Sequence, residues 1–148
     1  MRKILIASTL ALVLSVAFVP ISNAQMVEKV SKKTVTLSSG EVILDMSGEW
    51  DILTEYHGMY SWLPSYRNIV LITQEGNTFT AVRQRDRDAL HPKGWELIKG
   101  ELDKDGFKTV HYNRADVGWV PCKWEITENG NKIVVDDDRV VRATLTRK

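Results

Sequence analysis

Three glycine-bearing tight turns, separated by longer connectors along a β-rich chain, constrain this sequence most. They are Glu75-Gly76-Asn77, Lys104-Asp105-Gly106 and Glu128-Asn129-Gly130. Each supplies the positive φ that a short hairpin needs. The runs they join are rich in Val, Ile, Thr, Phe, Tyr and Trp, the residues that suit a half-buried pleated surface. No window carries an apolar stripe at helical spacing long enough for a helix. The pattern predicts eight strands, over 49–57, 67–74, 78–84, 95–103, 107–114, 121–127, 131–136 and 139–147. A small hairpin precedes them, in which 34–37 and 41–45 flank Ser38-Ser39-Gly40.

The connectors alternate. Gly58 to Tyr66, Arg85 to Gly94 and about Ala115 to Val120 read as long loops, and Asp137-Asp138 as a short turn. In an up-and-down meander successive connectors fall at opposite ends, so the tight turns share one end and the long loops the other. Eight antiparallel strands of this length can close on themselves, which removes exposed edges and leaves room for side chains or one small ligand. The fold predicted is all-β: an eight-stranded antiparallel up-and-down barrel with an N-terminal hairpin, preceded by a signal peptide.

Period-two alternation supports closure. Trp50, Ile52, Thr54 and Tyr56 share a face, as do Cys122, Trp124 and Ile126, and Val141, Ala143 and Leu145. Ile69 to Ile72 is apolar on both faces, so the hairpin is expected to cover its outer side. Strand 107–114 is ambiguous, because Phe107 and His111 share one parity and Val110 and Tyr112 the other. An outer-membrane barrel would turn an apolar band outward. Here the opposite faces carry Asp51, Glu55, Lys123, Glu125 and Arg142, which disfavours it.

Arg2 and Lys3, the apolar run Ile4 to Val19, Pro20 and then Ser22-Asn23-Ala24 form the three-part pattern of a secretory signal peptide. The run falls short of the ~20 residues a membrane span needs. The expected organisation is a signal peptide over 1–24, a linker and hairpin over 25–46, and the barrel over 47–148. The expected location is periplasmic or secreted. Charge is nearly balanced, with 20 basic and 19 acidic residues, so nothing suggests nucleic acid as a partner. The single cysteine, Cys122, excludes an internal disulfide framework and reads as a buried small hydrophobe.

Gly48-Glu49-Trp50 resembles the G-x-W signature of lipocalins and related calycin barrels. In those families an arginine near the end of the last strand packs across that tryptophan, and Arg147 stands at the matching place. Segments 72–79 and 100–107 look like the tight hairpins of small bacterial lipocalin-like proteins, many of which have no assigned role. The resemblance covers 47–148 as a pattern of strands. It implies barrel closure through Gly48, Trp50 and Arg147, and binding of a small molecule.

The long connectors and the strand ends beside them hold Tyr56, Tyr60, Trp62, Tyr66, His91, Trp95 and Trp119. Gathered at one mouth, these would line a pocket for a small hydrophobic or aromatic ligand. Equally, the same side chains would plug a filled barrel, and the chain would then be an envelope protein-interaction or structural module. Asp103-Lys104-Asp105-Gly106 lacks the later ligands of a calcium loop, since Phe107 and Arg114 stand at those places. Asp136-Asp137-Asp138 reads as a solvated turn. His57, His91 and His111 have no close metal-ligand spacing. No catalytic motif, metal site or cofactor site is predicted, and an enzyme would require His57 or His111 to meet an acid or a thiol.

Overall fold

The structure is a computed structural model and describes residues 32–148. The expected signal peptide and most of the linker lie outside the described residues. Among these residues eleven strands form: β1 (Thr34–Thr36), β2 (Val42–Leu44), β3 (Gly48–Tyr56), β4 (Tyr66–Glu75), β5 (Thr78–Arg83), β6 (Glu96–Asp103), β7 (Gly106–Arg114), β8 (Gly118–Pro121), β9 (Lys123–Thr127), β10 (Lys132–Asp136) and β11 (Val141–Arg147). The first two pair as a hairpin. The other nine make one antiparallel sheet in the order β8-β7-β6-β5-β4-β3-β11-β10-β9, curled into a nearly closed barrel.

The eight expected strands are present, and a ninth, β8, forms within the stretch expected as the third long loop. Pro121 has no N–H to give to a ladder and ends β8. Beyond it the chain moves from one edge of the sheet to the other: β8 pairs with β7, and β9 pairs with β10. At the junction the Cys122 N–H donates to the Val110 carbonyl (2.9 Å). Below that bond side chains close the seam, where the Trp124 ring meets Phe107 edge-on at 5.5 Å.

A β-bulge resolves the ambiguous parity of β7. Glu101 pairs with Thr109 but Leu102 pairs with Phe107, so Lys108 is the extra residue. The inserted residue flips the alternation. Phe107, Val110 and Tyr112 are therefore all buried although their numbering does not alternate.

Three expectations are corrected. The hairpin does not cover the outer face of β4, where Leu71 is exposed. Instead it caps the narrow end: Gln74 Nε2 donates to the Leu44 carbonyl, Gln74 Oε1 accepts from the Met46 N–H (2.7 Å), and Glu41 Oε1 accepts from the Lys104 N–H (2.9 Å). Ile43, Leu44 and Met46 are thereby buried in the core. The third long loop is not long, because β7 and β8 are joined by residues 115–117 alone. Cys122 is half-buried rather than buried.

The narrow half of the barrel is solid. Trp50, Ile72, Phe79, Leu102, Ile133 and Leu145 are among its buried side chains. Trp50 Nε1 donates to the Met46 carbonyl (2.9 Å), which satisfies its one polar atom. At Gly100 the backbone sits so close to its neighbours that a Cβ would stand 2.1 Å from the Thr109 carbonyl oxygen and 2.9 Å from the Phe79 ring. Glycine there lets Phe79 lie across the strand. The cleft lined by the tyrosines lies at the opposite end.

Candidate functional site

The mouth holds a cleft of about 220 Å³. Tyr56, Tyr60, Leu63, Tyr66, Val140 and Val141 supply its aromatic and apolar walls, with Arg87, His91, Tyr112 and Arg114 among the polar residues. Strand ends rather than loops provide the central phenols. Tyr56 ends β3, Tyr66 begins β4 and Tyr112 lies near the end of β7, each on the inward parity of its strand. Tyr56 and Tyr66 rings lie 6.2 Å apart, and the Tyr66 and Tyr112 hydroxyls 3.4 Å apart.

Two arginines flank this cluster. Arg87 Cζ stands 4.0 Å from the centroid of the Tyr66 ring, and its Nη1 donates to the Tyr56 hydroxyl. Arg83, at 0% exposure, donates through Nη2 to the Tyr66 hydroxyl (2.7 Å). Its Nε and Nη1 have no hydrogen-bond partner among the described residues. No carboxylate among the described residues forms an ion pair with Arg83. A buried guanidinium without an acid is costly, by several kcal/mol even after relaxation. The sequence carries a signal for it: Phe79, Ala81 and Arg83 alternate on one face of β5, which turns the arginine inward.

Electrostatics separate the three phenols. Burial pushes the Tyr66 phenol up, but the Arg83 charge and hydrogen bonds outweigh it and hold the group below its ordinary value. Burial raises the Tyr112 phenol well above its ordinary value, with Tyr66 adding to the effect. Burial likewise raises Tyr56, and Tyr66 again contributes. The acids of the mouth are already engaged. Asp88 Oδ1 lies 2.7 Å from His91 Nδ1, while Asp116 and Asp137 both pair with Arg114.

Of the residues expected at the site, the fold brings Tyr56, Tyr60, Tyr66 and His91 together along the cleft. Trp62 projects from the rim at 75% exposure. Trp95 packs against the core and meets His91 edge-on at 6.2 Å. Trp119 lies on the outer face of the sheet, beneath the Lys99 ammonium at 4.1 Å. Arg83, Arg87 and Tyr112 were not anticipated there.

His57 Nε2 lies 3.5 Å from Asp136 Oδ1 and 3.8 Å from Asp137 Oδ1, a grouping that could in principle share an ion. Asp137 Oδ1, however, already accepts the N–H groups of Arg139, Val140 and Val141 at 2.9, 2.7 and 2.9 Å. Its other oxygen faces Arg114. The donor set is that of a braced turn between β10 and β11. Cys122 is a poor nucleophile, since burial pushes its thiol up to about 11.

No family model, no curated protein and no solved structure matches this chain.

Proposed function

We propose that the chain is an exported small-molecule binding protein of lipocalin-like type, taking a compact apolar or aromatic ligand at the mouth of its barrel. The observation that carries this reading is the tyrosine-lined cleft over the buried core. Its volume of about 220 Å³ lies below the ~300–1,000 Å³ of drug-sized sites, which favours a ligand of one or two rings. The walls from Tyr60, Leu63, Val140 and Val141 offer apolar contact, worth about 25 cal/mol per Å² removed from water. The phenols offer orientation. Export rests on the leader pattern of residues 2–24, and an intact mass beginning at Gln25 would support it.

Titration with a panel of hydrophobic fluorescent probes tests the reading. At least one probe is expected to bind, and Tyr60→Ala or Leu63→Glu to weaken it by at least tenfold. Trp119→Ala, on the outer face, is expected to leave it unchanged. If no probe binds, or if the two cleft variants bind like the wild type, the reading is wrong.

A second reading has its own support. Met59, Trp62, Leu90 and Val117 stand exposed on three connectors of the mouth, where exposed apolar groups favour a protein partner in the envelope. In that case Met59→Ser, Trp62→Ser and Leu90→Ser together would abolish capture of a partner that the wild type retains, while probe binding at the cleft persists.

A further inference from the structure

We infer that the ligand of this cleft is an anion: a carboxylate carried on the compact apolar body described above, an inference that rests on the pocket reading and sharpens it. Arg83 is completely buried, has two nitrogens without partners and has no acid among the described residues. It sits directly behind Tyr66, whose hydroxyl it donates to and whose side chain lines the cleft. Arg87 covers the same ring from the cleft side. One phenol is thus held between two guanidinium groups. The acid nearest them, Asp88, reaches only the Arg87 Nε, at 3.5 Å, and shares its charge with His91.

Negative charge is therefore short at the floor of this cleft. A carboxylate entering it meets the Arg87 guanidinium and the Tyr56 and Tyr66 hydroxyls. It also enters the field of Arg83, which acts at close range through a medium poor in water. Charge-assisted hydrogen bonds from arginine to carboxylate are the stronger class. The apolar body lies outward against Tyr60, Leu63, Val140 and Val141. Arg114, the other arginine of the rim, is spent on Asp116 and Asp137 and takes no part.

Calorimetric titration of the folded chain (residues 25–148) with 1-naphthylacetate, 1-naphthylacetamide and free acetate tests the inference. The acid is expected to bind at least tenfold more tightly than the amide. Arg87→Met and Arg83→Met should each reduce that ratio to within about twofold, by weakening the acid more than the amide. Near-ultraviolet circular dichroism verifies that the variants are folded, and the Arg87→Met result stands alone if Arg83→Met is not. Acid and amide binding equally would overturn the anion while leaving the pocket. Neither binding would overturn the pocket as well. Acetate competing as strongly as naphthylacetate would replace the proposed ligand with a bare anion.

Discussion

The Arg147 guanidinium lies over the Trp50 indole, 4.3 Å from its centroid, where the two residues are direct partners across β11 and β3. Arg147 also donates to the carbonyls of Asp45 and Ser47, the latter at 3.1 Å, and so ties the last strand to the segment leading into β3. Removing it by Arg147→Ala is expected to cost about 2–3 kcal/mol, combining the cation–π contact with two lost hydrogen bonds. A double-mutant cycle with Trp50→Phe, read by urea unfolding, should give a coupling of about 0.5–2 kcal/mol. Strictly additive effects would show that the stacked pair contributes nothing.

Arg83 gives the opposite expectation. Its charge is buried without an acid, so Arg83→Met, of similar volume, should stabilise the unliganded protein by about 1–3 kcal/mol. Thermal unfolding measures this directly. A lower Tm would mean that the single bond to Tyr66 outweighs the burial of the charge.

The architecture was legible because turn chemistry and period-two burial agreed along most of the chain. Gly76, Gly106 and Gly130 all have positive φ at the narrow end, as the hairpin turns required. The pairing of Trp50 with Arg147 was implied by the lipocalin resemblance, together with closure of the last strand on the first. What escaped was local. The bulge at Lys108 cannot be read from alternation, because it breaks the alternation. The extra strand β8 and the break at Cys122 depend on which sheet edge each segment meets. The aromatic loops suggested a mouth built of tryptophans, but residue type says little about direction: Trp62 faces out, while tyrosines on strand ends line the cleft. Arg83 was readable from the parity of β5. It was missed because arginine is so seldom buried.

Acid should act on the turn between β10 and β11. Burial raises the Asp137 carboxyl, but the Val140, Val141 and Arg139 N–H groups and the Arg114 charge together hold it below its ordinary value. A carboxylate with a lowered folded pKa adds stability above its unfolded pKa and loses it as pH falls through the folded one. Wild-type stability should therefore decline below about pH 4. Asp137→Asn should decline less steeply there, and Asp137→Ala should cost about 2–4 kcal/mol at neutral pH. Urea midpoints from pH 2.5 to 7 would measure both. Identical slopes for wild type and Asp137→Asn would remove this role.

Alkali should act on the phenol cluster. Tyr112 is raised by burial, so the stability it contributes is complete below its unfolded pKa and is lost as pH climbs above about 10. Tyr66, held low by Arg83 despite its burial, works in the other direction. Tyr112→Phe should flatten the alkaline limb of the stability curve. Unfolding followed between pH 8 and 11 would show this, and an unchanged limb would indicate that the buried phenol is not responsible.

The claim that the mouth binds a small molecule is tested most directly by amide NMR of the isotope-labelled chain titrated with 1-naphthylacetate. Saturable shifts are predicted at Tyr56, Tyr60, Tyr66, Arg87, Tyr112 and Val141, with residues of the narrow end, such as Gly76 and Leu102, unmoved. No shifts, or shifts confined to the outer face around Lys99 and Trp119, would contradict it.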